Sequence, residues 1–245
     1  MNMQRSNNQA GFSLFELIIA MSVTITILGL SCSILAGAFR ARAREDRKSD
    51  AVADVQRALN IMTREISNAG FKLPSGLPKV ASNGIVTDDS DNQSIRIVSN
   101  LNGMPDSANS YAEDSDVTDT DEDLKFLMYI DADRGQRYIV RYERNDSNQT
   151  TVLANRIDSL VFRYYDEKVT YDTTVDATTN VCDITNVKNA AGQTENEVSP
   201  GAAKFVVIVV GVTLPEVGKA GDPGYQAKSQ VQLTSNVVLR NSIIY

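Results

Sequence analysis

Apolar and polar positions along the chain fall into three regimes. From residue 12 to residue 39 nearly every side chain is apolar or small, in the run FSLFELIIAMSVTITILGLSCSILAGAF, and Glu16 is its one charge. About 28 helical residues at 1.5 Å each span about 42 Å, more than the ~30 Å hydrocarbon core of a bilayer, so a membrane-spanning helix is predicted. From residue 40 to residue 70 the pattern turns amphipathic. Apolar residues at 52, 55, 59, 62, 66 and 69 recur at alternating spacings of three and four, which draws one stripe along a helix. No proline occurs before Pro74, and Asn68-Ala69-Gly70 is the first strong stop, with Gly70 suited to a left-handed cap. One helix of about 58 residues, about 87 Å long, is therefore predicted from Phe12 to Ala69. Gly29 and Gly37 are its only weak points.

Beyond residue 75 the periodicity becomes that of strands separated by polar loops. The predicted strands are 94–99, 124–130, 137–143, 157–165, 204–214 and 229–241. Leu160, Phe162 and Tyr164 alternate with Val161 and Arg163, which predicts a half-buried strand, whereas FVVIVV lacks alternation and predicts a strand buried on both faces. A helix laid across an antiparallel sheet buries both, so the fold class is α+β. Residues 107–123 are acidic and nearly free of bulky apolar side chains, and 170–199 are rich in Thr, Asn and Asp. Both read as solvated loops.

Charge and composition narrow the chemistry. Of 24 Lys/Arg and 31 Asp/Glu, eight and six lie at or before Gly70, leaving the remainder acidic by nine. An acidic domain argues against nucleic acid as its partner. Histidine is absent, which removes Ser-His-Asp and Cys-His nucleophile systems and His-containing zinc sites. Of the two cysteines, Cys32 sits in the apolar run and Cys182 in a distant polar stretch, so an intrachain disulfide is not expected. Cys182 reads as a free or intermolecular thiol. No catalytic residue is proposed, and composition leans against an enzyme.

A cleaved secretory signal would carry a basic leader, a shorter apolar stretch and a small-residue cleavage site beyond it. This run is longer, its leader MNMQRSNNQAG holds one Arg, and a glutamate stands near its front. GFSLFEL (residues 11–17) resembles the processing signal of type IV pilins and type II secretion pseudopilins. The resemblance implies a leader, residues 1–11, cut by a prepilin peptidase between Gly11 and Phe12, with N-methylation of Phe12. It also implies an assembly role for Glu16, whose carboxylate would pair with the Phe12 amine of its own or a neighbouring subunit. The domain plan that follows is leader 1–11, transmembrane and filament-core helix 12–39, amphipathic continuation 40–70, and a pilin-like β-rich domain 71–245.

REISNAGF (64–71), a D-x-D-x-G turn followed by an alternating strand, LANRIDSLVFRYYD (153–166) and VVLRN near the C-terminus together resemble PilW-like minor pilins. The function so implied is a structural subunit acting in pilus assembly or initiation. Its partners would be other minor and major pilins, the prepilin peptidase and the inner-membrane assembly platform. A J-type minor pseudopilin of type II secretion is the alternative, and a membrane-anchored β-domain sensor or binding module is the alternative of a different class. Localisation would be the inner membrane, with the C-terminal domain in the periplasm and then on the cell surface. Arg40, Arg42, Arg44, Arg47 and Lys48 oppose that orientation on the positive-inside rule, although Glu45 and Asp46 partly offset them. No cofactor is expected. Asp131 and Asp133 open like a calcium loop without its later ligands, and an acidic β-turn is the alternative reading.

Overall fold

The computed structural model describes residues 13–74, 76–101, 116–147, 149–155, 157–176, 178–221 and 224–242. Gly11 and Phe12, where cleavage and methylation are expected, lie outside the described residues. The chain divides into two units, one of residues 1–46 and 215–228, the other of residues 47–214 and 229–245. A single helix, α1 (Leu14–Ser67), contributes its first part to one and its second part to the other. It has no proline to interrupt it, Gly29 and Gly37 are accommodated within it, and both predicted ends hold to within two residues.

The larger unit is built of antiparallel strands. A meander of four, β1 (Ser94–Val98), β2 (Asp123–Asp131), β3 (Gln136–Glu143) and β4 (Gln149–Asn155), forms one sheet in that order. A second sheet has the order β5-β8-β9, from β5 (Ser159–Tyr165), β8 (Phe205–Leu214) and β9 (Ser229–Val238). A hairpin of β6 (Thr170–Val175) and β7 (Cys182–Lys188) stands between β5 and β8 in sequence. The α+β class is thus observed. Strand β4, whose QTTVLAN is mostly polar and exposed, carries too weak an alternation to be found in the sequence.

The amphipathic stripe of α1 lands where its spacing predicts. Val55, Leu59, Met62 and Ile66 are buried with Ala69, against Phe126 and Ile139 of the first sheet and Phe162 and Ile208 of the second. Burying each large side chain contributes roughly 1.5–3 kcal/mol, so this stripe is a principal tie between the helix and both sheets. Polar contacts fix its register. Thr63 Oγ1 and Ser235 Oγ of β9 share a hydrogen bond of 2.8 Å, and Arg141 Nε of β3 donates to Glu65 Oε2 at 3.0 Å. Arg141 also contacts Asp121 and the buried Glu143, the latter at 3.2 Å.

After Ser67 the chain turns back through Gly70, whose φ is +79° and whose N–H donates to Val98 O at 2.9 Å. Gly84, φ +82°, lies against it so closely that a Cβ there would fall 1.9 Å from Gly70 N. No side chain fits at that crossing.

Two expectations need correcting here. Residues 170–199 are not simply a solvated loop, because β6 and β7 cover the second face of β5 and β8. A separate core forms there from Val161, Tyr165, Phe205, Val207 and Val209 with Val169 and Cys182 of the hairpin region. Arg163 of β5 is drawn into the same cover by Asp183 of β7, at 3.0 Å from Nε, and by Glu197 at 2.8 Å. For that reason β5 is not half-buried: six of its seven residues are buried. The hairpin leaves no periodic signal in the sequence, because its apolar residues (Tyr171, Val181, Ile184, Val187) are diluted among Thr, Asn and Asp. Of the acidic stretch 107–123, residues 107–115 lie outside the described residues, and the remainder is turn until β2 begins at Asp123.

Candidate functional site

The start of α1 is organised by its own side chains. Ser13 stands just before the helix, and its hydroxyl accepts the N–H of Phe15 at 3.3 Å. Glu16 reaches back and accepts the N–H of Ser13 through Oε2 at 3.2 Å. This reciprocal pair is a capping box, in which two orphan donors of a helix N-terminus are satisfied. The carboxylate also lies in the first turn, where the helix dipole favours negative charge. A glutamate at the head of an apolar run is therefore stabilised locally, before any partner is considered. The signal for this capping box in the sequence is the S-x-x-E of SLFE, which begins at Ser13.

From Leu14 to Phe39 the helix exposes its apolar side chains. Leu14, Phe15, Ile25, Leu30 and Ile34 are among fourteen large ones in this stretch that stand exposed, and none of its most apolar window is buried. Fully covering fourteen such side chains is worth on the order of 20 kcal/mol, more than the 5–15 kcal/mol by which a domain is ordinarily stable. The polar residues of the run do not oppose an apolar surround. Ser22, Thr24, Thr26 and Ser31 donate their hydroxyls to carbonyls one turn back, Thr24 to Ala20 O at 2.7 Å and Thr26 to Ser22 O at 2.8 Å. Each is satisfied inside the helix, as a bilayer requires. The segment is a candidate membrane anchor, about 39 Å long over its 26 residues.

The residues just after this run do not act as free cations alone. In the connection between β8 and β9, Gly218, Gly224 and Ala227 lie against α1 between Gly37 and Arg44. Arg44 is buried and its Nη2 donates to Ala227 O at 2.7 Å. A Cβ on Gly224 would fall 2.8 Å from Gly37 Cα, so the two backbones meet at paired glycines. Gly37, read from sequence as a weak point of the helix, is where another segment packs. Within the segment, Val217 and Gln226 exchange backbone hydrogen bonds of 3.0 Å each way.

Asp131 and Asp133 sit at the turn between β2 and β3. The Asp131 carboxylate accepts the N–H groups of Asp133 and Arg134 at 3.1 and 3.2 Å, and Gly135, φ +62°, closes the turn onto Asp131 O at 2.8 Å. These contacts are those of an acidic β-turn. Among the described residues no three His, Cys, Asp or Glu side chains converge as a metal site would need.

Cys32 is exposed on the apolar run, while Cys182 is a free thiol, fully buried under Gly211 and Ser159. Burial pushes the Cys182 thiol up from its ordinary pKa. A buried, protonated thiol is unsuited to intermolecular pairing, which disposes of that reading.

Set against family models, curated proteins and solved structures, the chain finds no match in any of the three.

Proposed function

We propose that this chain is a non-enzymatic minor pilin, a structural subunit that enters a type IV pilus and takes part in its assembly. The observation that carries the reading is the conjunction at the head of α1. The Gly11-Phe12 bond of GFSLFEL stands directly before a capped helix start, and Glu16 lies one turn beyond Phe12, followed by an apolar stretch left exposed. Hydrolysis of that bond by a prepilin peptidase would free the Phe12 amine beside the Glu16 carboxylate. Two opposite charges at one depth in an apolar surround neutralise one another and favour a fixed axial register between subunits. The exposed helix then has two successive environments, the bilayer before assembly and the filament core after it. The remainder of the chain, an amphipathic helix on antiparallel sheets, suits the part of a pilin that faces outward.

N-terminal mass spectrometry of the protein from sheared surface filaments, and separately from membranes, tests this. The expected result is a filament peptide that begins with N-methylated Phe12. An N-terminus at Met1, found only in membranes, would overturn it in favour of an anchored β-domain.

A further inference from the structure

The face of the four-stranded sheet that turns away from α1 is an open, tyrosine-lined groove of about 680 Å³. Register puts Tyr129 beside Tyr138, Leu127 beside Val140, and Val140 beside Val152. Tyr129 and Val152 are 54% and 51% exposed, so the groove leaves apolar and aromatic surface in water. Its two ends differ in charge. At one end Lys125 and Arg144 line it, and with Arg96 they surround Asp89 and Asp123, three cations on two carboxylates. At the other end it is lined by Asp131, beside Asp133 and Arg134, two carboxylates with one cation.

We infer that this groove is a self-association surface whose occupant is the same face of a second copy of this chain. An isologous interface must be complementary to itself, and a patch with an apolar middle, a positive end and a negative end meets that condition. A two-fold axis lying in the plane of the face and perpendicular to β2 reverses the strands. It brings Lys125 and Arg144 of one copy over Asp131 of the other, twice. The axis passes between Leu127 and Tyr129, midway along β2, so the tyrosines of the two copies interdigitate. The opposite choice, an axis along the strands, would set cation on cation. This surface belongs to the sheet alone and does not depend on whether the chain enters a filament.

The test uses the full chain in detergent micelles in a Cys32→Ser background, since Cys182 is buried. Lys125→Cys protein and Asp131→Cys protein are oxidised separately and then as a mixture. Positions 125 of the two copies lie about 20 Å apart in this arrangement, by the rise of six strand residues, and so do positions 131. A disulfide-linked dimer is expected from the mixture only. Tyr129→Glu introduced in both partners should weaken the linking about tenfold, the equivalent of about 1.4 kcal/mol. Sedimentation should show concentration-dependent dimers of the Cys32→Ser chain, and combining Lys125→Asp with Asp131→Lys should restore what Asp131→Lys alone loses. Linking in either single preparation, no linking in the mixture, or a chain that stays monomeric while another protein covers the groove would each overturn the inference.

Discussion

Glu16 Oε2 accepts the backbone N–H of Ser13 at 3.2 Å, so the carboxylate caps the helix on which it sits. Capping, which the structure shows, and the proposed charge pairing are separate uses of one side chain, and they are separable by substitution. Glutamine at the third helical position still completes a capping box but carries no charge.

Glu16→Gln and Glu16→Ala should both be processed after Gly11, and both should be lost from filaments to a similar extent. Quantitative comparison of membrane and filament fractions checks this. Normal incorporation of the glutamine variant would mean that capping, not the charge, is what assembly uses. Ser13→Ala should cost about 1 kcal/mol of local helix stability without affecting incorporation as strongly.

Arg141 holds the C-terminal part of α1 to the first sheet and also faces the buried Glu143. Arg141→Met should destabilise the domain by roughly 3–5 kcal/mol, because it removes the cation that faces the buried Glu143 and leaves Glu65 only the longer contact to Arg64. Burial raises the Glu143 carboxyl above its ordinary pKa, against the opposing pull of Arg141. A raised carboxyl binds its proton more tightly in the folded state than in the unfolded one. Its contribution is then complete below the ordinary glutamate range and is lost as pH rises through the elevated pKa. Thermal unfolding across pH 4 to 8, roughly the span on either side of that range, should show Glu143→Gln gaining on the parent as pH increases. The gain should be larger still in the Arg141→Met background, and a flat difference would exclude the buried carboxylate as its source.

Gly84→Ala should prevent stable folding, whereas Gly192→Ala should not. Both glycines have positive φ, +82° and +78°. A Cβ at Gly84 meets Gly70 N at 1.9 Å, while at Gly192 nothing lies within 4 Å. The second substitution therefore carries only the backbone term, about 1–2 kcal/mol. Denaturant titration of the two variants distinguishes steric collision from conformational preference.

Much of the architecture was written locally. About fifteen turns of uninterrupted helix need only the absence of proline and good side-chain spacing, so α1 was legible to within two residues of either end. The burial of β8 on both faces was equally legible, because FVVIVV offers no polar face. What covers its second face was not. Tyr171, Val181, Ile184 and Val187 are scattered at irregular intervals among Thr, Asn and Asp, and only their arrival together over β5 and β8 makes them a core. Arg163 carries the same lesson, a charged residue in an apolar strand whose partners, Asp183 and Glu197, lie 20 and 34 residues away.

The candidate site divides along the same line. Gly11, Phe12 and Glu16 lie within the seven residues of GFSLFEL, so the motif on which the proposed processing and pairing rest is visible without a fold. Ser13 belonged to that local set too, as half of S-x-x-E. By contrast, the packing of Gly224 and Ala227 on Gly37 and Arg44 and the charged ends of the tyrosine groove join residues far apart in sequence. Periodicity of 3.6 or 2 reports which side of an element is apolar, but not which distant segment will lie against it. By itself, then, the sequence determined the helix and its apolar half. Only the tertiary structure decided the second core, the Arg44 contact and the outward face of the sheet, because long-range pairing leaves no periodic trace in the chain.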